Sequence, residues 1–103
     1  MMGKIEQFED LPIWKHAAAL ALDIYQIAEE GKLKQDFSMK DQIKSAAISI
    51  SSNIAEGYEY GSNKEFVRFL RYAKGSAGEL RSQLFILNHT GLLEAEKYES
   101  LKS

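Results

Sequence analysis

FVRFLRYAKGSAGELRSQLFIL, residues 66–87, is the stretch on which the fold turns. Phe66, Leu70, Ala73, Ala77, Leu80, Leu84 and Leu87 recur at spacings of 4-3-4-3-4-3. Alternating steps of four and three put all seven on one face of a helix, and three unbroken heptads are the signature of left-handed bundle packing. Just upstream, Ser62 with Glu65 three residues on has the form of a capping box, each side chain able to satisfy the other's backbone N–H. Gly91 marks the stop. The spacing therefore predicts a helix over about residues 63–89, roughly 39 Å long at 1.5 Å per residue.

Working outward, three further helices are predicted. Pro12 sits where proline is welcome, in a first helical turn, with Asp10 as a possible cap. From there Ile13, Ala17, Leu20, Ile24 and Ile27 form one apolar stripe, and Trp14, Ala18, Ala21, Tyr25 and Ala28 form a second beside it, over about residues 12–30. Ser38, with Asp41 three residues on, reads as the next start, and Ile43, Ala47, Ile50 and Ile54 carry a helix over about 39–56. Gly57 to Gly61 reads as a loop containing Tyr58 and Tyr60. A last short helix, about 94–102, would turn Ala95, Tyr98 and Leu101 inward. No strand pattern competes. The expected fold is all-α, an antiparallel up-and-down four-helix bundle with a short fourth helix, in one domain of 103 residues. A fourth helix of roughly 14 Å cannot cover a seam of roughly 39 Å, so the uncovered stripe predicts self-association.

Composition narrows the function classes. With 45% apolar and 27% charged residues the chain has a globular balance. It has no cysteine, which removes disulfides and cysteine-ligated zinc. No apolar run approaches the roughly 18–20 residues that span a bilayer, and Met1 to Asp10 lack the apolar core of a secretory signal, so the expected address is cytoplasmic, without a membrane partner. Nucleophile elbows, phosphate-cradling glycine loops and His-Glu-x-x-His are absent. Bundles that hold two irons use Glu-x-x-His, but here Ile13 precedes His16 and Ile86 precedes His89 at that offset. The two histidines read as surface or capping residues. No catalytic residue, metal site or cofactor is expected, and the chain reads as a binding and assembling protein, not an enzyme.

Net charge is −2, yet residues 62–91 carry five basic and two acidic side chains, a local +3. Lys64, Arg68 and Arg71 fall on one helical face at i, i+4 and i+7, and Arg81 lies one heptad beyond Lys74. These five cations, with Tyr58, Tyr60 and Tyr72 near them in sequence, are candidate RNA contacts through phosphate pairing and base stacking. The same residues also fit an ordinary solvated face in which the arginines pair with Glu56, Glu65 or Glu79. Helix two bears a stripe of small polar groups, Ser45, Ser49, Ser52, Asn53 and Glu56, which are mediocre mid-helix residues. Gly75, Ser76 and Gly78 offer a matching surface on helix three. Each interior glycine costs about 1 kcal/mol relative to alanine, which close packing of another backbone would offset. Asn53, Glu56, Ser76 and Glu79, with Arg71, are the expected polar network between the two helices; Asn53 and Glu56 lining a binding groove is the alternative.

The stretch from Asp41-Gln42-Ile43 to Asn53-Ile54-Ala55-Glu56-Gly57, and the later Glu65-Phe66-Val67-Arg68-Phe69-Leu70 with Ala73-Lys74-Gly75-Ser76 and Glu79-Leu80, resemble two motifs of a known family. It is the bacterial four-helix-bundle proteins called 23S rRNA intervening-sequence proteins. Phe8, Leu11, Trp14 and Tyr25 fit its opening helix, so the likeness spans about residues 8–93. The resemblance implies an antiparallel bundle that assembles as a ring, a homopentamer, with RNA or a ribonucleoprotein as partner. A similar fold occurs in the accessory protein of diversity-generating retroelements, which partners a reverse transcriptase, so a protein–protein adaptor is the alternative that the resemblance implies. This chain departs from the family pattern at Lys44-Ser45, where paired arginines are frequent, at Tyr58-Glu59-Tyr60, where a basic residue is common, and at Ser51, where proline is frequent. The family's fourth helix usually continues well past Lys102.

Overall fold

Pro12 opens the first helix, α1 (Pro12–Ile27), in a computed structural model that describes residues 4–102, the last of them by its backbone. Met1 to Gly3, part of the N-terminal reading above, and Ser103 lie outside the described residues. The other helices are α2 (Phe37–Glu59), α3 (Asn63–His89) and α4 (Ala95–Lys102), with 3-10 turns at Phe8–Asp10 and Gly31–Gln35. The chain is an all-α helical bundle, and α3 has the bounds its heptads predict.

The ends correct several expectations. Asp10 does not cap α1. Its carboxylate accepts from the backbone N–H groups of Glu6 and Gln7 and closes the preceding turn, while Leu11 holds the cap position without a side-chain bond. Helix α2 starts at Asp36, whose Oδ1 accepts from Met39 N at 3.1 Å, and not at Ser38. Asp36 is the better acceptor there because it precedes the first helical residue, where a cap side chain reaches back to the free N–H groups. Ser62 Oγ does accept from Glu65 N. The reciprocal carboxylate of Glu65 instead lies 3.2 Å from Arg68 Nε. The C-terminus of α3 closes as a Schellman motif: Gly91, at φ 82, lets Leu92 N reach Leu87 O at 2.9 Å and its own N–H reach Asn88 O at 3.2 Å.

The largest correction is at Gly57. It lies inside α2, buried, and the helix runs on to Glu59. A Cβ built at Gly57 would stand 2.8 Å from Phe69 Cβ and 3.3 Å from Phe66 Cα. Glycine here is a packing requirement, since α3 crosses too close for any side chain. By contrast, nothing lies within 4 Å of a Cβ built at Gly75 or Gly78. Both face away from α2, so the close approach expected of them is not made by this chain's own helices.

Helix α2 is the hub. Helices α1 and α3, each antiparallel to it, pack on either side, and Ile24, Leu33, Ile43, Ile54, Leu80 and Leu87 are the largest fully buried side chains of the core. Helix α4 closes only one end, where Tyr98 and Leu101 rest on this core; Ala95, expected inward, is exposed. At the other end a groove stays open between α1 and α3, with Ile50 and Ile54 of α2 as its floor and Ile13, Leu20, Leu70 and Ala73 on its walls. Ile13, expected in the core, is 49% exposed for that reason. Leu80 and Leu87 are sealed by the chain itself, whereas Leu70 is half-buried. Among the described residues no helix is long and apolar enough to cross a membrane.

Candidate functional site

The α3 cations divide into two groups once the helix is placed. Lys64, Arg68, Arg71, Lys74 and Arg81 are all exposed. Lys74 borders the apolar groove, and Arg81, a heptad later, shares that side. Lys64, Arg68 and Arg71 lie round the helix from it, at the end where α2 meets α3. Arg68 is the one member of the five with a carboxylate within 4 Å among the described residues: its Nε lies 3.2 Å from Glu65 Oε2, an oxygen that is itself buried although the arginine is exposed. The expected pairing with Glu56 or Glu79 does not form.

Aromatic rings surround Arg68. Its guanidinium carbon lies 5.2 Å from the Phe69 ring centroid and 5.8 Å from that of Tyr72. Phe69 is buried and stacks on Tyr60 at 5.2 Å and 18°, and it meets Tyr72 edge-on at 5.6 Å and 90°. Tyr60 and Tyr72 both keep more than half their surface in solvent. Of the three tyrosines near the cations in sequence, Tyr58 is not part of this cluster; it lines a separate crevice with Leu11, Gly57 and Phe66. The geometry suits anions flanked by flat rings, which is the chemistry of a nucleotide chain.

The polar seam between α2 and α3 is smaller than expected. Ser49 Oγ and Ser76 Oγ are 2.8 Å apart, and Asn53 Nδ2 donates to Ser49 O at 2.8 Å and to Ser49 Oγ at 3.1 Å. Asn53 and Ser76 thus belong to it, satisfied within the bundle, and neither lines an open groove. Glu56, Glu79 and Arg71 stand outside, exposed, with Glu79 accepting from Gln83 Nε2 along α3.

A second charged cluster was not legible from helical spacing. Glu29, at the end of α1, pairs with Lys40 at 3.0 Å and Lys44 at 3.3 Å on α2. Hydrogen bonds from Lys40 first, then Lys44, hold the Glu29 carboxyl below the usual carboxylate range, against a smaller opposing desolvation. Lys40 and Lys44 also lie over the rings of Phe37 and Tyr25. Next to Glu29 in sequence, Glu30, at the start of the Gly31–Gln35 turn, pairs with Lys97 of α4, and that hydrogen bond raises the lysine's pKa. Both clusters clamp helix ends and leave no vacant chemistry. The signal available in sequence was Lys40 and Lys44 at i, i+4; their partner comes from another helix.

The histidines stay apart. His16 borders the groove, and His89 stacks on Phe85 with its Nδ1 2.9 Å from Phe85 O. Among the described residues no three His, Cys, Asp or Glu side chains gather to hold a metal ion.

Comparison with curated proteins finds no match for this chain. The family described as 23S rRNA-intervening sequence protein matches residues 9–103, from the first 3-10 turn through α4. That match runs over nearly the whole sequence and takes in both the α2–α3 crossing at Gly57 and the basic face of α3, and so the chain belongs to the 23S rRNA-intervening sequence protein family.

Proposed function

We propose that this protein is a non-enzymatic, cytoplasmic helical scaffold that self-associates, as a homopentamer, and binds RNA through the basic face of α3. One observation carries the reading: Lys64, Arg71, Lys74 and Arg81 stand exposed without a carboxylate within 4 Å among the described residues, the first two on the side of α3 where Arg68 lies over the exposed Tyr72 ring. Unpaired cations in solvent are the groups that release counterions when phosphate binds. Self-association is supported by the surface. The chain exposes 7009 Å², against roughly 5,900 Å² expected of a monomer of its mass. The difference, about 1,100 Å², is of the order that each partner buries in a standard interface.

Binding to RNA should weaken steeply with salt. Three to five phosphate contacts give a slope of log affinity on log salt of roughly −2 to −3.5 for a single strand. A flat salt response would reject the RNA reading, and a monomer mass by light scattering at micromolar concentration would reject the assembly. The open groove of Ile13, Leu20, Leu70 and Ala73 favours a second reading, a protein–protein adaptor such as an accessory subunit of a reverse transcriptase. A helix laid in that groove would bind with little salt dependence.

A further inference from the structure

We infer that the RNA taken by α3 is single-stranded and that Tyr60 is the platform on which one unpaired base stacks; this deepens the RNA reading above and rests on it. Tyr60 holds the C-cap of α2, in helical conformation, where the chain turns into Gly61 and α3. One face of its ring is backed by Phe69 at 5.2 Å and 18°. Phe69 is itself 7% exposed and wedged against Gly57, so the backing is rigid. Tyr60 is 62% exposed, which leaves the opposite face in water. A flat ring with one supported face and one wet face is an incomplete stack, and the π-face of any base completes it.

Charge then sets the direction of the strand. Lys64, Arg68 and Arg71 succeed one another along the α3 face next to this ring, with Arg68 held over Phe69 and Tyr72. Glu56 and Glu59, in the last turn of α2, disfavour phosphate on that side, so the backbone follows α3. Duplex RNA cannot use such a site, because its bases are stacked on one another and its major groove is too narrow for side chains. An unpaired base is therefore the ligand, with phosphates on Lys64 and Arg71.

The test compares a labelled RNA of about 12 nucleotides, free of self-complementarity, with the duplex it forms with its added complement, on the full chain by fluorescence anisotropy. The single strand should bind more tightly. Tyr60→Ala should weaken it roughly tenfold without changing the salt slope, and Tyr60→Phe should restore it. Lys64→Ala should instead lower the salt slope by about one contact. A strand carrying 2-aminopurine reads stacking in the unaltered protein, by loss of its emission on binding. Equal binding of duplex and single strand, a folded Tyr60→Ala that binds as tightly as the parent, or unquenched 2-aminopurine each overturns the platform and leaves RNA binding standing. No binding of either form at low salt overturns both.

Discussion

Replacing Gly57 with alanine tests the most specific packing feature of the bundle. The new Cβ would stand 2.8 Å from Phe69 Cβ, 3.1 Å from Phe66 Cδ1 and 3.3 Å from Phe66 Cα, where ordinary contact is 3.4–4 Å. Two of those atoms belong to the root of a side chain or to the backbone, so no rotamer change clears them. Phe69 is further held between Tyr60 and Tyr72. The helices must separate by several tenths of an ångström, an overpacking cost of about 2–3 kcal/mol. Alanine's better helix propensity returns roughly 1 kcal/mol. The net loss, about 1–2 kcal/mol, should lower Tm by roughly 5–15 °C in a domain of this size, measured by far-UV circular dichroism in dilute solution. Gly75→Ala and Gly78→Ala meet nothing within 4 Å of the chain itself and should raise Tm by a few degrees under the same conditions. Should Gly57→Ala melt as high as they do, the argument from the α2–α3 crossing is wrong. Should Gly75→Ala lower Tm while light scattering shows a smaller particle, a second copy sits on that face of α3.

Other outcomes follow from the caps and ion pairs. Asp36→Ala should cost about 1 kcal/mol through loss of the Met39 N–H acceptor, while Ser38→Ala, whose hydroxyl only takes a side-chain bond from Gln42, should be close to neutral; equal melting shifts would return the cap to Ser38. Ser76→Ala removes the hydrogen bond from α3 to Ser49 Oγ, leaving that oxygen with Asn53 Nδ2, and should cost roughly 1 kcal/mol, read by urea denaturation; an unchanged midpoint would show that the seam is structurally idle. The Glu29 carboxyl titrates lower folded than unfolded, so its contribution is present above the unfolded pKa and is lost as pH falls through the folded one. The melting-temperature gap between the parent and Glu29→Gln should therefore close on acidification, and a gap that stays constant from neutral to acid pH would remove Lys40 and Lys44 as the cause.

Local pattern, meaning periodicity with caps and breakers, located the four helices, each end to within three residues. The 4-3 spacing from Phe66 to Leu87 and the Ser62 cap made α3 legible to the residue, because both are local: one is a face of a single helix, the other a bond across three residues. The family likeness was legible for the same reason, being carried by contiguous motifs. What tertiary structure decided were the relations between helices. Gly57 reads locally as a helix breaker and Gly75 and Gly78 as close-packing positions, and only the path of α3 over α2 makes the first the crossing point and leaves open space at the other two. Lys64, Arg68 and Arg71 could be aligned from their spacing, but Tyr60, read as part of a loop, joins them only because α2 continues to Glu59 and delivers its ring onto Phe69. Spacing along a chain fixes which residues share a helix face. Which face meets which depends on the crossing of two helices, set by side-chain volumes separated by many residues.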